Sequence, residues 1–85
     1  LTGATLAKLN LTGANLGRCK LARARLGAAQ LADADLSGAD LTDADLSDAD
    51  LGRAVLAKAQ LDRAVLTDAS LAGAAGQGAS FHGVT

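Results

Sequence analysis

Leucine stands at position 1 and then at every fifth position to Leu71. Gly76 and Phe81 take the next two such places, so 15 of the 17 pentapeptides carry leucine. Two residues before each of these sites is a second apolar position. Alanine fills it in fourteen pentapeptides, and Leu9, Cys19 and Val84 fill the other three. The three remaining positions are polar or small almost throughout. A step of five residues turns an α-helix by about 500°, a net 140°, so the leucines would scatter around the cylinder instead of forming a stripe. On a continuous strand an odd step reverses the face each time and leaves half the leucines in water. The pattern therefore predicts a short extended piece and a corner in every pentapeptide. The chain then wraps around an axis with each Leu and each Ala pointing inward, the small residue suiting the tighter space near a corner.

Composition agrees with a repeat. Leucine and alanine supply nearly all the apolar content. Pro, Trp, Tyr and Met are absent, and all nine acids are aspartate. Ten glycines and the wrong period outweigh the helical preference of Leu and Ala.

The motif Ala-Asp/Asn-Leu-x-x, as in Ala14-Asn15-Leu16, Ala34-Asp35-Leu36, Ala39-Asp40-Leu41, Ala44-Asp45-Leu46 and Ala49-Asp50-Leu51, resembles the pentapeptide-repeat family. The resemblance runs the length of the chain and is weakest at Gly76. It implies an all-β fold, a right-handed quadrilateral (four-sided) β-helix of about four coils, spaced like neighbouring strands at ~4.8 Å. With four pentapeptides to a coil, residue n lies against residue n+20. Inward columns such as Leu16–Leu36–Leu56–Gly76 follow. The last loses its side chain, so a loosened corner is expected at Gly76, with Phe81 leaning into the space.

Outward columns carry the charge. Lys20 lies against Asp40, Arg23 against Asp43 and then Arg63, Arg25 against Asp45, Asp33 against Arg53, and Asp62 against His82. Only Asp48 and Asp68 stack like charges. The acidic run Asp33, Asp35, Asp40, Asp43, Asp45, Asp48 and Asp50 is thus expected to form a ring between coils whose bases answer it. A slip of one pentapeptide would keep the leucines inside but scramble the pairs, so the charges specify register. On this reading, reversing Asp43 to lysine should lower stability more than reversing Asp50, which has no stacked base.

The chain carries 8 Lys+Arg against 9 Asp, a net charge of −1, and this gives no bulk reason to expect nucleic acid or a membrane. The acidic run lacks EF-hand spacing and the calcium β-roll nonapeptide, and solvated outward carboxylates are the simpler reading. Asp33 with Asp35, or Asp43 with Asp45, could converge weakly on a corner. The basic cluster Arg18, Lys20, Arg23 and Arg25 has no interleaved aromatic for nucleic-acid stacking. Cys19 sits at an alanine site and is expected to be a buried, inert thiol about three coils from the single histidine, His82. Val55 and Val65 are apolar at outward positions, on opposite sides, where each could mark a partner contact. No nucleophile–base pair, phosphate loop or metal motif is present. The expectation is therefore no enzyme activity, no cofactor, and no catalytic or metal site.

Two functional classes remain. The first is a non-catalytic structural and protein-interaction module, a rigid β-helix scaffold or spacer. The second is a DNA-mimicking regulator of a DNA enzyme such as gyrase. The resemblance suggests this second reading, because the gyrase-protecting quinolone-resistance members are longer rods with an extended negative surface. Mimicry needs negative charge along the axis, as on a duplex, whereas this run occupies one turn. The chain begins on a repeat leucine and ends mid-pattern at Thr85 without a capping segment. The expectation is one repeat domain over 1–85, from a longer protein or solenoid or stacking end to end. Its expected partners are other domains of the same chain or further copies, with no small-molecule substrate. With one cysteine there is no internal disulfide, and no signal peptide or membrane segment appears, so a cytoplasmic location is expected.

Overall fold

The computed structural model describes residues 2–84 as one four-sided coil. In the notation used below, i is the Leu site of each pentapeptide. All seventeen i+2 residues have positive φ, eleven of them non-glycine (Arg23 at 59°, Asp33 at 60°) and six glycine (Gly38 at 67°). The next Ala-site N–H closes the corner on the carbonyl of the Leu site, as Ala24 does on Leu21 at 3.0 Å and Ala49 on Leu46 at 3.0 Å. A four-residue turn with φ above zero only at its third residue has the signature of type II. The left-handed residue redirects the chain through one corner, and four corners return it to its starting side. An L-residue in this conformation costs about 1–2 kcal/mol relative to its right-handed form, so the corners persist only because neighbouring coils hold them.

They are held by backbone hydrogen bonds between coils, three per pentapeptide. The Leu21 N–H donates to the Asp40 carbonyl at 2.7 Å and the Arg23 N–H to the Thr42 carbonyl at 2.8 Å, both towards the next coil. The Arg25 N–H donates to the Ala4 carbonyl at 2.8 Å, towards the previous one. Parallel pairing links residue n to residue n+20 throughout, from Thr5 with Arg25 to Gln60 with Ser80. The twenty-residue stacking expected from the sequence is the observed register.

Inside, each Leu and Ala site from Leu21 to Ala64 is buried, and among the described residues no polar or charged side chain is buried with them. Leu6, Leu11, Leu16, Cys19 and Leu66 pack on this core but are only partly buried, because they lie in the end coils. Cys19 is therefore less enclosed than its alanine site suggested.

The corner at Gly76 is not loosened. The Ala79 N–H still reaches the Gly76 carbonyl at 3.0 Å, and the Lys58 N–H still reaches the Gln77 carbonyl at 2.9 Å. The turn is made by backbone atoms and does not need the inward side chain. Phe81 does lean in: its ring carbons come within 3.7 and 3.8 Å of where a Gly76 Cβ would sit.

Leu46→Ala, in the fully enclosed middle, is expected to cost about 2–5 kcal/mol in urea denaturation. Leu71→Ala, at a site 37% exposed in the last coil, should cost much less. Equal costs would mean that the end coils are as closely packed as the middle.

Candidate interaction surface

Position within the pentapeptide divides the seven aspartates of the acidic run into two groups. Asp35, Asp40, Asp45 and Asp50 precede a Leu site. Each turns Oδ1 back to accept the N–H two residues on: Ser37, Thr42 and Ser47 at 3.0 Å, and Gly52 at 2.9 Å. Asn10 and Asn15 do the same for Thr12 and Gly17. This Asx turn satisfies the one N–H in the corner that the coil ladder leaves free. The Ser37 and Ser47 hydroxyls add a second bond to the same oxygen, at 2.7 and 2.6 Å.

Asp33 and Asp43 occupy left-handed corner positions and make the ion pairs. Arg53 grips Asp33 with Nε at 2.9 Å and Nη2 at 3.0 Å. Arg63 grips Asp43 at 2.9 and 3.2 Å. Asp48 and Asp68 have no such partner among the described residues. The paired carboxylates expected to converge at a corner therefore diverge, one reaching to the next coil and the other folded over its own turn. Among the described residues no three His, Cys, Asp or Glu side chains come close enough to share an ion.

The charge columns are only half as expected. The pairs Asp33–Arg53, Asp43–Arg63 and Asp62–His82 are in contact, the last at 3.6 Å. Lys20–Asp40, Arg23–Asp43 and Arg25–Asp45 make no ion pair. In each contact the acid lies on the earlier coil and the base on the later; the failed pairs have the opposite order. The cause lies in the acids. Asp40 and Asp45 are committed to their own turns, and Arg63 already holds both oxygens of Asp43. The acidic ring makes its ion pairs on its C-terminal side alone, and Arg23 and Arg25 act on Asp40 and Asp45 only at longer range. Asp50 was expected to be the uninvolved control, but it caps the turn at Gly52, and Asp48 is the better one.

His82 stands at the end of an unforeseen trio. The Ser80 hydroxyl donates to Asp62 Oδ1 and lies 3.0 Å from His82 Nδ1, and the His82 N–H donates to the same carboxylate at 3.2 Å. A Ser–His–Asp relay needs the imidazole between the other two, one ring nitrogen to each. Here Nδ1 alone faces both and the hydroxyl proton is directed to the carboxylate, so the trio ties the last coil to the one before. Sequence reasoning missed Ser37, Thr42, Ser47 and Ser80. For the first three the signal was present as Asp-Leu-Ser or Asp-Leu-Thr, with the hydroxyl two residues after the acid.

Bases form a second feature. Arg18, Lys20, Arg23 and Arg25 are exposed and have no carboxylate within ion-pair distance among the described residues. A Cβ on Gly38 would lie 3.4 Å from Arg18 Cγ, so the Arg18 stem lies across the bare backbone of the following coil. Val55, 38% exposed, is the large apolar member of the outward column Asn15–Asp35–Val55–Ala75. Val65 is half-buried on the opposite side. Among the described residues there is no cleft that would enclose a small molecule, and no helix long and apolar enough to cross a membrane.

The side chains and backbone N–H groups of Ser37, Thr42 and Ser47 hold Asp35, Asp40 and Asp45 below the ordinary carboxylate value. Arg53 does this for Asp33, and Ser80 for Asp62. All five therefore favour folding in the ionised form. That stability is complete above the unfolded value, roughly 3.9, and is lost as pH falls through the lower folded values. Thermal melts should accordingly be flat from neutral pH to about one unit above that value and decline below it; a decline that begins near neutrality would contradict these shifts. In a double-mutant cycle, Asp33→Ala with Arg53→Ala should show favourable coupling that salt weakens. Arg25→Ala with Asp45→Ala, which are not in contact, should show a weaker coupling.

Comparison with known proteins agrees with this geometry. The pattern described as pentapeptide repeats matches in eight copies, over residues 1–38, 19–56 and 54–85. The chain is similar to the crystal structure of alr5209, a pentapeptide repeat protein from Nostoc PCC 7120, with 39% identity and a TM-score of 0.89 over 91% of this chain and 64% of that one. It is similar to AT2G44920, a pentapeptide repeat protein of the Arabidopsis thaliana thylakoid lumen, with 32% identity and a TM-score of 0.79 over 98% of this chain and 61% of that one. It is also similar to QnrB1, a plasmid-mediated fluoroquinolone resistance protein, with 25% identity and a TM-score of 0.78 over 89% of this chain and 36% of that one. The chain thus spans less than two thirds of the length of each of these structures. A comparison with curated protein sequences finds no match. The repeat match along the whole chain, with the coil register described above, shows that the chain belongs to the pentapeptide-repeat family and has its right-handed quadrilateral β-helix fold.

Proposed function

We infer that this chain is a non-catalytic interaction module, a rigid block that holds surfaces or neighbouring domains at fixed spacing. The observation that carries this reading is that charge forms bands around the axis instead of running along it. Asp35, Asp40, Asp45 and Asp50 pair with Val55, Gln60, Val65 and Ser70 on the next coil, none of them acidic. On the coil before they meet Asn15, Lys20, Arg25 and Gln30. No single outward column therefore carries acid on three successive coils, and only Asp48 and Asp68 stack acid on acid. A duplex presents one negative charge per ~1.7 Å of axis, and a banded block of 26 × 23 × 22 Å offers no such row. The two tight ion pairs and the Asx turns stiffen the acidic band, which suits a fixed surface better than an adaptable one.

The expected partner is protein. Mimicry of DNA is the competing reading, since QnrB1 is a fluoroquinolone resistance protein of the same fold. The chain should leave the supercoiling activity of DNA gyrase unchanged at concentrations well above that of the enzyme; dose-dependent inhibition would favour mimicry over the spacer. For rigidity, spin labels at Asn10→Cys and Ser70→Cys in a Cys19→Ala background stand three coils apart, roughly 14 Å. They should give one narrow distance, and a broad distribution would contradict a rigid block.

A further inference from the structure

One side of the coil carries a charge pattern that complements its own reverse. Its middle column is Thr5, Arg25, Asp45 and Val65, joined by parallel pairing. Two corner columns flank it at left-handed positions: Gly3, Arg23, Asp43 and Arg63, and Lys8, Ala28, Asp48 and Asp68. The first two rows of this side hold bases and no acid. The third holds Asp43, Asp45 and Asp48, and the fourth holds Asp68 with Arg63 already bound to Asp43. Arg23 and Arg25 are exposed, with no carboxylate within ion-pair distance among the described residues. Asp45 is exposed too, and Ser47 engages only its Oδ1. Each of these three has a coil of this chain both before and after it.

Two such sides can be set face to face in two symmetric ways. A two-fold axis along the coil places each row against itself, Arg25 on Arg25 and Asp45 on Asp45, and like charges repel. A two-fold axis across the coil, between the Arg25 and Asp45 rows, keeps each column against itself and reverses the rows. Arg25 then meets Asp45 of the second copy, Arg23 meets Asp43, Lys8 meets Asp68, and Thr5 meets Val65. No like charges face each other, and the two Arg25–Asp45 pairs form a square of alternating sign. A slip of one row in either direction sets Arg25 on Arg25 or Asp45 on Asp45. The same operation gives the other three sides no such match, since it places Asp40 on Gln60, Asp50 on Gln30 and Asp35 on Val55.

We propose that this side docks on the same side of a second copy of this chain, antiparallel, as an isologous dimer that closes on itself. The free Oδ2 of each Asp45 receives Arg25 of the other copy, a partner that its own coil does not supply. Val65, apolar at an outward position, packs on the Thr5 methyl of the other copy. Gly27 and Ala28 in the second row leave room for the Ser47 and Asp48 that face them. One side of a block of 26 × 23 × 22 Å covers on the order of 500 Å², so the contact lies at the low end for specific interfaces. The dimer is therefore weak, held chiefly by charge, and dissociated by salt. The contact uses the side of the coil alone and does not depend on the spacer reading.

Sedimentation velocity of the full chain tests this. In low salt the unmodified chain is expected to pass from monomer to dimer as concentration rises towards millimolar, with no larger species. In about 0.5 M salt it should return to monomer. Arg25→Asp should weaken the dimer roughly tenfold or more. Asp45→Asn, which keeps the turn cap as Asn10 does, should do the same. Asp50→Asn, the same change on the neighbouring side, should leave the dimer as it was. Melting curves check that each variant folds. Disulfide trapping in a Cys19→Ala background reads the direction: Thr5→Cys mixed with Val65→Cys should cross-link on oxidation, and neither form should do so alone. Cross-linking of the Thr5→Cys form alone would show parallel copies and overturn the proposal. So would species that grow beyond a dimer, or an Asp50→Asn effect as large as that of Asp45→Asn. A chain that stays monomeric at millimolar concentration in low salt would also overturn it, and would leave the narrow spin-label distance, and with it the spacer reading, intact.

Discussion

Each corner of this molecule turns on one residue held in the left-handed conformation. Type II geometry at that position prefers glycine, yet arginine, lysine, aspartate and Ala28 occupy eleven of the seventeen. The strain is borne collectively. The corner residue's own N–H is tied to the next coil, as Arg23 is to Thr42, and the flanking Leu and Ala sites lock into a core that excludes water from Leu21 to Ala64. An isolated pentapeptide has neither support and cannot hold the turn. Local conformation and coil stacking therefore stand or fall together, as expected of a quasi-one-dimensional repeat.

The surface follows from the same corner. A side chain just before the Leu site sits beside an N–H the ladder does not use, and a short carboxylate or amide there folds over to satisfy it. A side chain on the left-handed residue itself projects towards the stacked coil, where Asp33 and Asp43 meet an arginine and Arg18, Arg53, Lys58 and Arg63 lie against a bare glycine. Aspartate in the first place caps, and in the second place Asp33 and Asp43 pair. One residue type in one continuous acidic run thus has two physical roles. The run is part of how the coil is built, and this favours reading the block as a fixed surface over reading it as a site of chemistry.

Much of this was legible in the sequence. The five-residue period of Leu and Ala excluded helix and flat strand, and the twenty-residue rule placed Asp33 under Arg53 and Asp43 under Arg63 correctly. The rule failed for Lys20–Asp40 and Arg25–Asp45 because column position says which residues are neighbours and not which oxygens are free. That depends on the backbone N–H two residues after the aspartate, which takes Oδ1 whether Ser, Thr or Gly stands there. The turn type was hidden for a related reason: glycine marks the left-handed position in only six pentapeptides, and the bases, aspartates and Ala28 in the others gave no clear conformational signal. At Gly76 the sequence suggested a defect, but the corner depends on backbone atoms, and the Phe81 ring takes up the missing volume.

Amide hydrogen exchange, resolved residue by residue, tests the central claim that the coil ladder holds every corner. In the middle coils four N–H groups of each pentapeptide are bonded to backbone, and the one after the Leu site is not. Ala22, Gly27, Ala32 and Ala57, which lack a capping Asp or Asn two residues earlier, should therefore exchange fast between slowly exchanging neighbours. Ser37, Thr42 and Ser47, capped by aspartate, should be intermediate. Protection that repeats every five residues in this way is the expected result. Uniform protection, or a rhythm of three to four residues, would contradict it.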